Sequence, residues 1–254
     1  MIRTTLCLAI AAFALGSTSV QAKVHVGDGC DLDSRYSFKI EPARLVFTED
    51  DSKRVIALST GGGISVDGHA LVLGAADRAR ADELERGMRV LVHEVKGIAM
   101  EAVGIAFEAV GHASTAFASS PAAARASAER IARTAEELKK GIEAKQDWDS
   151  NSDADFDRVI EGAVGALVGE MVGNVTAMAL KVAFTGDEAA IAELEARADA
   201  IEKSVEKAVE KRSEDLERRA EQLCTRLRAL DVVESAIEAR LPDGSRLDLV
   251  RIER

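Results

Sequence analysis

The stretch "GIAMEAVGIAFEAVG", Gly97 to Gly111, contains a seven-residue unit twice and begins a third. A glycine in a helix interior costs about 1 kcal/mol relative to alanine, yet Gly97, Gly104 and Gly111 recur in strict register. Small residues at a fixed helical period allow backbones to approach closely. The stretch therefore reads as the interior of a long, packed helix.

Bulk properties agree with that reading. Of 254 residues, 47% are hydrophobic but only 4% aromatic, 30% are charged and three are proline. This composition points to long helices and away from an all-β fold. The net charge of -11 and the lack of a basic, aromatic-studded stripe argue against a nucleic-acid surface.

At the N-terminus, Arg3 precedes the apolar run "LCLAIAAFAL" (Leu6 to Leu15), and "VQA" (Val20 to Ala22) supplies small residues for cleavage. This is the pattern of a signal peptide, residues 1–22, removed after Ala22. The apolar run is too short for a lasting membrane anchor, and Cys7 is wrongly placed for lipoprotein processing, so a soluble exported protein is expected. Two cysteines then remain, Cys30 and Cys224. In an oxidising compartment an even count predicts a disulfide; the alternative is two buried thiols. There is no CxxC redox motif.

Residues 23–74 read as a β-meander head. "YSFKI" (36–40), "RLVFT" (44–48), "RVIALS" (54–59), "GISV" (63–66) and "HALVL" (69–73) are short strands, with Asp67-Gly68 a two-residue hairpin turn. Gly61 to Gly63 read as another turn. From 75 to 254 the pattern is helical, with helices over about 75–118, 122–147, 153–185 and 187–240. Ser120 and Pro121 mark the second helix start, and "DWDSNSDAD" (147–155) reads as a loop. "RLDLVRI" (246–252) alternates as a last strand that could extend the meander. The fold class is α+β, mostly α: an antiparallel long-helix bundle or stalk with a small β head.

The last helix has an apolar seam of 3–4 spacing, Ile191, Leu194, Ala198, Ile201, Val205 and Ala208, then Leu216, Ala220, Leu223, Leu227, Leu230 and Ile237. That seam is coiled-coil-like, with a phase slip near Arg212. Glu193–Arg197, Asp199–Lys203, Glu214–Arg218 and Asp215–Arg219 place acid before base at i,i+4, so its charge run reads as a solvated face. With about 1.5 Å per residue, this helix is long enough to pass the first helix's N-terminal end. That geometry brings Cys224 and the final strand back to the head.

A second glycine series, Gly162, Gly165, Gly169 and Gly173, lies within about 80° on a helical wheel. Val164, Leu167, Val168, Met171, Val175 and Met178 occupy the opposite side. Close helix packing of the two glycine runs against each other is the expected arrangement. One detail complicates it: Glu94, Glu101 and Glu108 also repeat every seven residues beside the first glycine file, so that side could be wetter and serve a homo-oligomer. A membrane-active glycine pair is a further alternative, opposed by Glu170 amid the apolar segment.

Chemistry is sparse. Four histidines form no H-E-x-x-H, no paired Glu-x-x-His appears, and G-x-S-x-G, phosphate-loop and calcium-loop patterns are missing. No catalytic residues and no cofactor are expected. After cleavage, Lys23-Val24-His25 would offer an amine, two amides and the His25 imidazole to Cu(II) or Ni(II).

The stretches "CDLDSRYSFKIEPARLVF", "RVLVHEVKGIAMEAV", "GALVGEMVG" and "AEQLCTRLRALDVVESAI" together resemble the YggN-like family of exported periplasmic proteins, a domain of unknown function. The resemblance covers most of the mature chain. It implies a periplasmic location and a cysteine near each end of the domain, and it implies no activity. The expected function is contact with an unknown periplasmic protein or envelope component, as adaptor, chaperone-like holder or envelope-maintenance factor. Transient membrane contact and metal binding at the N-terminus are the alternatives.

Overall fold

The computed structural model of the chain describes residues 24–25, 31–33, 35–116, 118, 120–148 and 188–253, with positions 158, 161, 162, 165, 169, 172, 173, 176 and 180 between them. The fold is α+β and mostly α. Two short strands come first, β1 (Val24–His25) and β2 (Asp31–Asp33). Five more follow as an antiparallel meander: β3 (Tyr36–Glu41), β4 (Arg44–Glu49), β5 (Val55–Ser59), β6 (Gly63–Val66) and β7 (His69–Ala70). Then come α1 (Ala75–Ala116), α2 (Pro121–Ala144), β8 (Asp147–Trp148), α3 (Glu188–Ser235) and β9 (Arg251–Glu253).

The meander sits where the alternating pattern places it. On β4, Leu45, Phe47 and Glu49 turn inward while Arg44, Val46 and Thr48 are more exposed, the period of a half-buried strand. Phe47 pairs with Ile56, and Leu58 pairs with both Leu45 and Ile64, so one face is a continuous apolar layer. Asp67 and Gly68 both have positive φ, 49° and 81°, which is the two-residue turn that matches strand twist. Against this layer pack Ala81, Leu84 and Leu91 of α1 and Leu223, Leu227 and Leu230 of α3. Gly87 lets the two helices close: a Cβ there would run into the Leu230 methyl groups. α2 returns along the far part of α1, where Ile131, Ala135 and Leu138 meet Phe107. It starts as expected, with Ser120 Oγ accepting the Ala123 N–H at 3.2 Å and Pro121 in the first turn.

Three expectations need correction. The acidic stretch after α2 is not all loop, because Asp147–Trp148 adds a strand to β3, giving the sheet order β7-β6-β5-β4-β3-β8. The Trp148 ring stacks on Phe38, centroids 5.4 Å apart, and Lys96 Nζ stands over the same ring, 5.5 Å from its centroid. That apolar surface is reason enough to leave the helix. Second, α3 stops at Ser235, not near Arg240. The Asp77 carboxylate takes the N–H groups of Glu238 and Ala239 at 3.1 and 3.0 Å, donors that a continuing helix would have given to its own carbonyls. Third, residues 246–250 are not strand. Only Arg251–Glu253 is, and it pairs with β2 in a separate sheet of order β1-β2-β9, so it does not extend the meander.

The turn at Gly61 to Gly63 is confirmed, and its glycines have a tertiary role. Gly62 has φ 83°, and a Cβ would collide with the Arg78 backbone carbonyl at the start of α1. Strain and a clash with backbone add here, so Gly62→Ala should cost about 2 kcal/mol or more. Urea unfolding checks this; a midpoint unchanged from wild type would mean that α1 does not dock on this turn.

Candidate functional site

The long contact between α1 and α3 answers why glycine and glutamate share a period on α1. The helices run antiparallel, and arginines at the same seven-residue spacing on α3, Arg212, Arg219 and Arg226, cross to α1. Arg226 binds Glu94. Arg212 bridges two glutamates, with Nε donating to Glu101 at 2.9 Å and Nη1 donating to Glu108. Glutamates at the same period provide the acceptors, and glycines provide room for the guanidinium groups. A Cβ at Gly97 would lie 3.1 Å from Arg219 Nη2, and one at Gly104 would lie 3.1 Å from Arg212 Nη2. The phase slip in the α3 seam falls at Arg212, the arginine that bridges Glu101 and Glu108. Flanking carboxylates raise the Arg212 pKa, chiefly through the Glu101 hydrogen bond.

The charge run of α3 is therefore not simply a solvated face. Arg218 pairs with Asp215 one turn away, while Arg219 is turned toward Gly97. Nor do the two glycine runs meet. The first is occupied by α3 arginines at Gly97 and Gly104, and Gly111 faces open space. Gly162, Gly165, Gly169 and Gly173 are helical and exposed, and a Cβ at any of them would touch nothing. Val172 and Leu180, 58% and 52% exposed, share that side of the segment with Thr176. The residues expected on its opposite side, from Val164 to Met178, lie outside the described residues, as do the signal peptide, Lys23 and Cys30.

Within the head, two carboxylates hold the chain after α3. Asp77, in the first turn of α1, accepts two backbone N–H groups as above and also Arg80 Nη1 at 3.0 Å. These bonds hold its pKa below the ordinary range, the Glu238 N–H most of all. Glu234, 3% exposed, accepts the Leu249 N–H at 2.6 Å and the Val250 N–H at 2.9 Å, one on each oxygen. Burial pushes its pKa up to about 7 despite those bonds, with smaller repulsion from Asp248 and Asp231. A third acid, Glu85, is fully buried and binds Arg89, whose Nη2 also reaches the Glu41 carbonyl at 2.8 Å. A surface network completes the rim, with Arg54 bound to Glu49 and Asp243. Asp243 is drawn down to about 2, first by its hydrogen bonds with Ser245.

These head carboxylates were legible only in part. Glu234 stands on the apolar seam between Leu230 and Ile237, and an acid at such a position is a signal of a buried partner. Asp77 looks like any acid in a helix's first turn. Cys224 is buried at 6% exposure in the head core. The backbones of Val24 and His25 pair with Leu32 and Asp31, a ladder that metal binding through those amides would have to displace. Among the described residues no three His, Cys, Asp or Glu side chains converge to hold a metal. No helix among the described residues is long and apolar enough to cross a membrane.

With this geometry in view, comparison with known proteins identifies the class. The family model "Protein of unknown function (DUF2884)" matches residues 30–250, so the chain belongs to that family. No curated protein and no solved structure matches it.

The seam makes a quantitative prediction. In a double-mutant cycle with Glu101→Gln and Arg212→Gln, the coupling should be about 0.5–1 kcal/mol, since both side chains are over a third exposed. It should shrink on going to molar salt. A coupling of zero at low salt would mean that the pair is not formed in solution.

Proposed function

We propose that the protein is an exported, non-catalytic envelope protein of the YggN-like kind, acting in the periplasm by protein contact. The observation that carries this reading is the exposed helical side bearing Gly162, Gly165, Gly169, Val172, Gly173, Thr176 and Leu180. From Gly162 to Leu180 its described residues carry no charge, with Arg158 and Glu161 at its start; its four glycines touch nothing, and its two large side chains are over half exposed. Apolar side chains held in water on a helix rim gain free energy when a partner covers them. The signal-peptide pattern of residues 1–22 supports export.

A bond between Cys30 and Cys224 belongs to the same proposal. Cys224 lies in the head core, and Cys30 immediately precedes β2, the strand that β9 pairs with. Closing so long a loop would contribute about 4–5 kcal/mol in the chain-entropy account. Alkylation of the unreduced, exported protein followed by mass spectrometry should leave both cysteines unmodified. Modification of both would overturn the pairing.

The competing reading is a membrane-active helix using the same exposed side. Liposome flotation of the mature protein, with and without reductant, separates the two. The protein should stay at the bottom of the gradient in both tubes. A photo-crosslinker placed at Val172 or Leu180 in intact cells should then give discrete protein adducts that one at the exposed Ala106 of α1 does not. Flotation would replace the contact reading by the membrane one.

A further inference from the structure

The meander stops short on one side. Alternation in "HALVL" predicts a strand from His69 to Leu73, yet β7 covers only His69–Ala70. Its neighbour runs out. Leu71 still donates its N–H to the Ile64 carbonyl at 2.8 Å, but β6 begins at Gly63. Gly62 cannot prolong β6, because its φ of 83° turns the chain and its N–H goes to the Ser59 carbonyl at 3.0 Å. Val72 and Leu73 therefore have strand-forming side chains with no full strand beside them among the described residues.

β7 is also the outermost strand of its sheet. His69 closes the hairpin opposite Val66 and Leu71 bonds Ile64, so these positions face β6. Ala70 and Val72 alternate with them and turn their N–H and C=O groups outward. Leu71 and Leu73 lie half-buried against the head core, whereas Ala70 is exposed and Val72 is 99% exposed. Sheet edges are ordinarily blunted by lysine, proline or an inward charge. From Gly68 to Ala76 there is no Asp, Glu, Lys, Arg or Pro; the opposite edge strand, β8, carries Asp147. A net charge of -11 sets copies of this chain against one another, and at the β7 edge they can meet without opposing like charges.

We propose that a second copy of this chain pairs with β7 edge to edge, antiparallel about a two-fold axis at Leu71. The edge is self-complementary in that register. Ala70 of each copy exchanges its backbone hydrogen bonds with Val72 of the other. On the outer side the exposed Val72 lies across from the small Ala70, and on the core side Leu71 meets Leu71. Gly68 comes opposite Gly74, and a Cβ at either touches nothing within one copy, so the ends of the paired stretch leave room. The two six-stranded sheets then run on as one, in an isologous contact. Such a contact is small, and the dimer is weak and reversible. It uses neither the helical side at 162–180 nor residues 1–22, so it stands independently of the contact and export readings above.

Sedimentation velocity of the full mature protein, from about 5 µM to about 0.5 mM, tests it and should show the sedimentation coefficient rising from monomer to dimer. Val72→Lys changes a side chain that is 99% exposed, so the thermal midpoint should hold while dimerisation weakens about tenfold or more. Adding Ala70→Glu to Val72→Lys sets opposite charges across the seam in this register, and most of the affinity should return at low salt. A monomer at every concentration, or a dimer that Val72→Lys leaves unchanged, would overturn the pairing; a double variant no tighter than the single one would overturn the two-fold register. A photo-crosslinker at Val72 in intact cells gives a second readout. An adduct of twice the chain's mass supports the second copy, and adducts with other proteins alone would put a foreign strand on the edge in its place.

Discussion

The antiparallel register of α1 and α3 is the constraint on which the other features rest. It pairs Glu94 with Arg226 and Glu108 with Arg212 and packs Gly87 on Leu230. It also sets the end of α3 beside the start of α1, so that Asp77 receives Glu238 and Ala239. A slip by one turn would undo all of these together. Ion pairs this exposed add little stability each, and the apolar head core supplies most of the free energy. What the paired charges supply is register: an arginine opposite leucine, away from its glutamate, would be desolvated without a partner.

That division of labour accounts for the two halves of the seam. Toward the head the helices meet through Leu84, Leu91, Leu223, Leu227 and Leu230, and the glycine at 87 brings them close. Farther out the interface opens, and arginine heads occupy the space that Gly97 and Gly104 leave. Near α2 a smaller apolar cluster around Phe107 takes over, joined by a buried hydrogen bond between the Ser114 and Ser127 hydroxyls at 2.6 Å. The head thus holds the larger apolar core, and the helices beyond it meet through a smaller one.

Local chemistry made much of this readable in advance. Period-two strands, the Asp67-Gly68 turn, the Ser120 cap with Pro121 and the long helical runs are decided by residues within a few positions of one another, so they appear in the sequence. The β8 strand did not appear, because Asp147 and Trp148 sit in a polar stretch and become a strand only when Phe38 offers a ring to stack on. The candidate site was least legible. In the sequence the glycines at 97 and 104 read as contacts between backbones, and only the neighbouring glutamate file points to the arginines that occupy their space.

What the sequence by itself determined is therefore the fold class, the meander, the positions of the described helices and membership of its family. The tertiary structure decided where α3 stops, which strand the chain's last residues join, and what the glycines of α1 are for. It also decided that Gly162, Gly165, Gly169 and Gly173 face outward. The physical reason is common to all of these. Each depends on a partner more than twenty positions away in the chain, or on its absence, and a buried carboxylate such as Glu234 or a crossing arginine such as Arg212 takes its meaning only from what the fold brings against it.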